Sequence, residues 1–186
     1  MRVFGIDPGS IRTGYGCVES DGRRHRLVAC GVIATKAGAA FADKLLAIHR
    51  GLAASIADAR PDCIAIENVF HSANARSALL LGHARGVALL AAVEAGVPVV
   101  EYTPAEVKRA VVGYGRAEKP QVQRMITLLL GLPKPPAPFD VADALAVAMC
   151  HLHRAHPAQP AVLRPEPGRK RQPTSWRRYK PPSPRT

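Results

Sequence analysis

The chain has 186 residues, of which 47% are hydrophobic, so it is long enough for one domain with a buried core. Its formal net charge of +12 indicates a polyanionic partner, most simply nucleic acid, with an anionic membrane surface as the weaker alternative. No apolar run approaches the ~20 residues of a transmembrane helix, so no membrane partner is expected. The four cysteines form no closely spaced pair, and we expect buried free thiols in a reducing cytoplasm.

The first part of the chain predicts three adjacent strands joined by tight turns. The strands are expected over residues 3–6, 13–19 and 27–35. Asp7-Pro-Gly-Ser10 forms a turn because Pro presets φ and Gly admits the left-handed region, and Asp21-Gly22 is a hairpin signal. Gly14 and Gly16 in the second strand mark a close approach of another backbone. These strands therefore predict an antiparallel meander.

Helices and strands alternate in the following part of the chain. The spacing predicts helices over residues 39–59, 72–95, 119–130 and 140 to about 154, and strands over 63–66 and 97–102. A further helix begins at the capping box Thr103-Pro-Ala-Glu106. On the first helix the predicted inner face carries Leu45, Leu46, Ile48, Leu52 and Ile56. This order predicts an α/β fold with a five-stranded mixed sheet, in which the meander is joined by two parallel strands and flanked by helices.

The end of the chain differs in composition from the rest. Residues 151–186 hold 9 Lys and Arg against one acid, Glu166, and 8 of the 17 prolines. Such a segment buries too little apolar surface to offset its ordering entropy. We therefore predict one globular domain over residues 1–155 and a disordered basic tail over 156–186.

Four carboxylates stand beside apolar sequence, where a lone charge is costly to bury, so they are expected to be paired or to hold metal. They are Asp7, Glu67, Asp140 and Asp143. Singly, Asp7 could cap its turn, Glu67 could face solvent, and the last two could be helix N-terminal acids. Together, two acids at strand ends and two on one helix face lie where open α/β sheets place active sites. Their oxygens would suit a hard cation such as Mg2+.

Several motifs in this order and spacing resemble those of the RuvC-type Holliday-junction resolvases. The resemblance covers about residues 1–155. The motifs are Phe4-Gly-Ile-Asp-Pro-Gly-Ser10 with Thr13-Gly14, Ile66-Glu67 followed by Phe70, Gly82-His-Ala-Arg-Gly86, the segments 101–108 and 111–119, and Asp140-Val-Ala-Asp-Ala-Leu-Ala146.

The resemblance implies a ribonuclease-H-like fold, a homodimer, and paired cuts in strands of like polarity at a four-way DNA junction. It implies that Asp7, Glu67, Asp140 and Asp143 are catalytic acids that bind two Mg2+ ions per subunit, with Mn2+ as a substitute. Two such cations ~4 Å apart can activate water and stabilise the leaving 3′ oxygen, and Asp7 is the candidate to bridge them. The RuvA–RuvB branch-migration complex is implied as a partner.

The same resemblance points to residues that would contact DNA. Lys108 and Lys119 resemble basic residues near the scissile phosphate, and Lys119 could also stabilise transition-state charge. Phe70 could stack on an unpaired base, or it could pack against the body. Arg76 and Arg85 could contact the DNA backbone, although Arg85 could equally serve the dimer.

Three other functions remain open at this point. Another ribonuclease-H-like nuclease, acting for instance on RNA–DNA hybrids, would share the four carboxylates. An actin-like or sugar-kinase-like ATPase would need a second Asp-Gly phosphate loop, whereas the other Asp-Gly of this chain is the hairpin turn at Asp21-Gly22. A non-catalytic DNA-binding scaffold would bind a junction without cutting it.

Overall fold

The computed structural model describes residues 1–68 and 74–155, and the predicted tail lies outside these residues. Within them, strands and helices follow in the predicted order. They are β1 Arg2–Asp7, β2 Arg12–Ser20, β3 His25–Ala34, α1 Phe41–Ala59, β4 Cys63–Glu67, α2 Ala75–Glu94, β5 Val99–Tyr102, α3 Pro104–Val112, α4 Lys119–Leu129 and α5 Phe139–Ala155. The sheet order is β3-β2-β1-β4-β5, which places β1 at the centre. Strands β1 to β3 pair antiparallel and β1, β4 and β5 pair parallel, so the predicted mixed sheet is confirmed.

Local signals in the sequence account for several element boundaries. Gly22 adopts φ 92° in the β2–β3 hairpin, where a side chain would be strained. The capping box that begins α3 is present, because Thr103 accepts a hydrogen bond from the Glu106 backbone and Glu106 reaches back to Thr103. Helix α2 begins at Ala75, with Asn74 as its N-cap, and the predicted start at residue 72 lies outside the described residues.

Two hydrophobic cores lie on opposite faces of the sheet. One face packs against α1 and α2, and the other against α3, α4 and α5. Alternation along β1 directs Phe4 and Ile6 to the first core and Val3 to the second. The predicted inner face of α1 is correct for Ile48, Leu52 and Ile56, but Leu46 is exposed. Leu46 immediately follows Leu45 and lies 100° around the helix from it, which turns Leu46 away from the sheet.

Helix α5 lies unusually close to β1 and β2 because glycines face it. A Cβ atom on Gly5 would lie 2.0 Å from the backbone oxygen of Ala144, and one on Gly14 would lie 2.0 Å from that of Asp140. A Cβ atom on Gly16 would lie 2.5 Å from Leu145 Cδ2. The predicted close approach at Gly14 and Gly16 is therefore confirmed, and the partner backbone belongs to α5.

One helix among the described residues, α2, is long and apolar enough to cross a membrane by length and composition alone. The expectation that no run approaches that length was therefore wrong for this helix. In the fold α2 packs against the first core through Ala84, Ala88 and Ala92, and Arg85 within it pairs with Glu101 of β5. These are the contacts of a helix packed against a sheet.

The four cysteines are free, as predicted. Three of them, Cys17, Cys63 and Cys150, are buried, whereas Cys30 is exposed on β3, so the expected burial was wrong at Cys30. Burial raises the pKa of the Cys17 and Cys150 thiols to about 11. Both thiols therefore stay protonated at neutral pH and act as small apolar groups.

The glycine contacts generate a stability prediction. Gly5→Ala should lower the free energy of unfolding by about 3 kcal/mol or more, because its Cβ atom meets the α5 backbone at Ala144 and Ala148 and not a movable side chain. Urea denaturation measures this loss. Gly115→Ala is the comparison variant and should lose less stability, since its Cβ atom would lie 3.3 Å from the Ala105 carbonyl oxygen, a tight contact but a longer one than the 2.0 Å at Gly5. Equal stabilities of the two variants would contradict the close packing of α5.

Candidate active site

Strand pairing places Asp7 and Glu67 side by side at the edge where β1 and β4 end. The last paired residues of these parallel strands are Ile6 and Ile66, and each acid follows directly. Gly5 and Ala65 face α5, so alternation directs both acids to that same face. Their carboxyl groups are close enough to share a hydrogen bond.

Helix α5 brings the second pair of acids to this edge. Its first turn lies against Gly14 of β2, which fixes the Asp140 backbone beside the sheet. Asp143 follows three residues later on the same helix face and acts electrostatically on both Asp7 and Glu67. The structure thus assembles the four predicted acids at one edge of the sheet.

We call Asp7 and Glu67 the inner pair of acids. Burial and like charge disfavour two negative charges on this pair. Burial raises the pKa of Asp7 well above its usual value, and the charges of Glu67 and Asp143 raise it further while Lys119 opposes them. Burial and the charge of Asp143 likewise raise the pKa of Glu67. The inner pair therefore favours a bound proton or cation, as carboxylates in contact usually do.

Asp140 and Asp143, the outer acids, each have a basic partner. Lys119 Nζ donates a hydrogen bond of 2.6 Å to Asp143 Oδ2, and Arg12 Nη1 lies 3.9 Å from Asp140 Oδ2. Within residues 1–68 and 74–155, no three His, Cys, Asp or Glu side chains are close enough together to hold one metal ion. All four acids therefore lie at one edge of the sheet, but Asp140 and Asp143 are paired there with basic side chains.

Lys119 is positioned by the start of α4, where Glu118 and Gln121 form a capping box. Burial lowers the pKa of Lys119, but the hydrogen bond to Asp143 and the charges of Asp143 and Asp7 raise it more, so the net direction is upward. Lys119 therefore stays protonated and supplies a fixed positive charge beside the acids. Such a charge can stabilise an anionic transition state.

The other predicted DNA-contacting residues divide into separate groups. Lys108 of α3 is near enough to lower the pKa of Glu67 by its charge, against the larger effect of burial. Arg76 is exposed in the first turn of α2. Arg85 Nε donates to Glu101 Oε1 at 2.8 Å on the α2 face of the sheet, opposite the acids. Phe70 lies outside the described residues.

Sequence reasoning missed Arg12, which reaches the site from the start of β2. Its signal was a basic residue two positions after the turn Asp7-Pro-Gly-Ser10. The pairing with Asp140 depends on the distance between β2 and α5, which the sequence pattern alone did not give.

Acids at the ends of two central strands face further acids on a helix, which is where open α/β sheets place their active sites. The family model for "Crossover junction endodeoxyribonuclease RuvC" matches residues 3–151. The chain belongs to this family of crossover junction endodeoxyribonucleases.

Relatives named crossover junction endodeoxyribonuclease RuvC match over most of the chain. The Syntrophotalea carbinolica protein is 56% identical over 156 residues, covering 84% of this chain and 96% of the relative. The Pelobacter propionicus protein is 53% identical over 181 residues, covering 97% of this chain and all of the relative. That second alignment extends beyond residue 156, whereas the family motifs placed from the sequence ended at about 155.

Solved structures confirm the ribonuclease-H-like fold. Thermus thermophilus RuvC is 37% identical with a TM-score of 0.75, covering 83% of this chain and 96% of its own. The same protein in complex with a Holliday junction substrate is 38% identical with a TM-score of 0.79, covering 84% and 95%. The yeast mitochondrial Holliday junction resolvase Ydc2, at 13% identity and a TM-score of 0.55, covers 81% of this chain and 78% of its own and shows the fold alone.

The charge of the inner acids generates a prediction about stability and pH. Without divalent cations, Asp7→Asn should raise the melting temperature at pH 7 by a few degrees, because it removes a charge that burial and Glu67 disfavour. The folded pKa of Asp7 lies above its unfolded value, so wild-type stability falls as the pH rises through the folded pKa. The difference between the proteins should vanish below about pH 4.

Thermal unfolding in a chelating buffer from pH 4 to pH 8 measures this difference. Asp58→Asn, at an exposed position of α1, is the control and should not change the pH dependence. A lower melting temperature of Asp7→Asn than of the wild type at pH 7 would contradict the unfavourable charge at Asp7.

Proposed function

We propose that this protein resolves Holliday junctions by metal-dependent hydrolysis of phosphodiester bonds, with paired cuts in two strands of like polarity. The observation that carries the proposal is the assembly of Asp7, Glu67 and Asp143 at one edge of the sheet beside Lys119. Membership in the RuvC family supports the junction as substrate, as does the similarity to the T. thermophilus protein whose structure contains a Holliday junction. The activity belongs to recombination and DNA repair.

In donor chemistry the four acids suit a pair of hard divalent cations, although no three acidic, histidine or cysteine side chains among the described residues lie close enough together to hold one ion. Their donor set consists of carboxylate oxygens, which suit Mg2+ and admit Mn2+. The raised pKa of Asp7 and of Glu67 marks buried negative charge that a cation would offset. Asp7, Glu67, Asp140 and Asp143 would hold two ions, which when bound would activate water and stabilise the leaving 3′ oxygen.

Protein side chains supply the other requirements of the cut. Lys119 is protonated beside Asp143 and would stabilise negative charge on the phosphate in the transition state. Lys108 would hold the DNA backbone near Glu67, and Arg76 would do so from the exposed start of α2. Phe70 would stack on an unpaired base at the junction. The pairing of Arg85 with Glu101 favours a structural role for Arg85 over a DNA contact.

A homodimer would present two equivalent sites to the two-fold symmetric junction. Helix α2 supports this proposal, since it exposes Leu79, Leu90 and Val93 on one side and buries Ala84 and Ala88 on the other. The exposed side also carries Gly82 and Gly86, and a Cβ atom on either would meet nothing within 4 Å. A second copy of α2 could therefore approach this side closely. The RuvA–RuvB complex and a cytoplasmic location belong to the same proposal.

The first functional test is a Mg2+-dependent assay that compares a synthetic four-way junction with linear duplex and RNA–DNA hybrid. Wild-type protein should cut the junction preferentially, and Asp7→Asn should lower cleavage by at least about 100-fold while it retains junction binding. Asp58→Asn should cut as the wild type does. Preferential cutting of the hybrid would favour a different ribonuclease-H-like activity, and cleavage by Asp7→Asn would rule out the metal role of Asp7.

The dimer proposal has its own test in light scattering of the purified protein. Leu90→Lys should convert dimers to monomers at micromolar concentration, because a charge would replace an apolar contact on the exposed side of α2. Its melting temperature as a monomer should stay close to that of the wild type, since Leu90 is exposed. Leu128→Lys, at an exposed position of α4, is the matched control and should remain dimeric. A dimeric Leu90→Lys would contradict the role of α2.

A further inference from the structure

A groove of about 560 Å3 lies beside the acids and opens to solvent. It is formed by the turn before β2 and by the first turns of α2, α4 and α5. Its lining includes Ser10, Ile11, Arg12, Ser77, Lys119 and Phe139. This volume is within the range of sites that hold one small-molecule-sized group, such as a single nucleotide. The roles proposed for the acids and lysines leave most of this groove unassigned.

Arg12 and Lys119 both line the groove, and the N–H donors of Arg12 are less engaged in hydrogen bonds than those of Lys119. Lys119 is engaged by Asp143 at 2.6 Å, whereas the Arg12 guanidinium lies 3.9 Å from Asp140, which is beyond hydrogen-bonding distance. The Arg12 side chain is 56% exposed, so this ion pair is weak. Its planar donors remain available for a bidentate contact to a phosphate, which binds them more strongly than a distant single oxygen.

The backbone that carries Arg12 is held firmly. Thr13 donates a hydrogen bond of 2.9 Å from its hydroxyl to the Gly9 carbonyl, and Thr35 donates its backbone N–H to the Ile11 carbonyl at 3.0 Å. A Cβ atom on Gly9 would lie 2.1 Å from the Arg12 carbonyl oxygen, so the turn is closed tightly on itself. Because this turn is already held in place, little backbone entropy is lost when the Arg12 guanidinium binds a group in the groove.

Apolar side chains stand in the same groove without a place in either core. Ile11 is 67% exposed although its backbone is fixed by Thr35, and Phe139 is also exposed. The groove therefore combines one available guanidinium, the hydroxyls of Ser10 and Ser77, and two apolar surfaces. A nucleotide has the matching parts, since it carries a phosphate, a polar sugar edge and an apolar base face.

We propose that this groove binds a nucleotide of the cleaved strand next to the scissile phosphate, with Arg12 on its phosphate and Ile11 and Phe139 against its sugar or base. The inference rests on the proposed function, because it takes the strand to be one that crosses the acids. It adds a binding position on the Asp140 side of the site. Arg12 exchanges its weak contact with Asp140 for the DNA phosphate.

The test measures equilibrium binding of the full-length protein to a fluorescent four-way junction, without divalent cations, at several salt concentrations. Arg12→Ala should weaken binding by about 10-fold and reduce the salt slope by about one unit. Arg12→Lys should restore the slope without the full affinity, because Lys lacks the bidentate fork. Ile11→Ser should weaken binding with an unchanged slope. Arg50→Ala, an exposed arginine on α1, is the matched control.

Neutral methylphosphonates at single phosphates flanking the cut identify the contact. One position should weaken wild-type binding and leave Arg12→Ala unaffected, which is the coupling expected of a direct pair. Two outcomes would overturn this proposal alone, provided that wild-type protein cuts the junction. One is equal sensitivity of the wild type and Arg12→Ala to the methylphosphonate at every position. The other is an affinity of Arg12→Ala for the junction equal to that of Arg50→Ala. Failure of the wild type to prefer and cut the junction would overturn the proposed function and this inference with it.

Discussion

The contact between the α5 backbone and the glycines of β1 and β2 is the constraint on which the site depends. Because Gly5 and Gly14 have no Cβ atoms, the carbonyls of Ala144 and Asp140 can lie directly on the sheet. This contact sets the distance from Asp143 to the ends of β1 and β4. A side chain at either glycine would push α5 away from the sheet. Close packing of the core and the geometry of the site therefore both require glycine at these two positions.

The site keeps unfavourable charge in place. Burial and like charge favour a shared proton on Asp7 and Glu67, which are partly shielded from water. Lys119 and Arg12 offset the outer acids, whereas no basic side chain of residues 1–68 and 74–155 forms a salt bridge with Asp7 or Glu67. Stability at this edge is therefore sacrificed for affinity toward a cation and a phosphate, which is common where function needs preorganised charge.

Sequence patterns were sufficient to predict the order of strands and helices and the convergence of the four acids. Alternation and turn residues predicted the meander, and the spacing of Asp140 and Asp143 placed both on one helix face. Face assignments across the sheet were harder, because they depend on register. Glu101 pairs with Ile66 in the register of β5 and β4, which directs Glu101 to α2 and gives Arg85 its partner. No pattern along the chain carried that information, and the same holds for the pairing of Arg12 with Asp140.

Helix α5 also sets the distance between the acids and Ala155. It begins at the acids and runs along the sheet, so Ala155 stands roughly 22 Å from Asp140 along the helix axis at 1.5 Å per residue. The first and last turns of this one helix thus belong to opposite ends of the domain. A fluorophore or fusion partner attached after Ala155 would begin at the end remote from the chemistry, and the helix would serve as a built-in spacer.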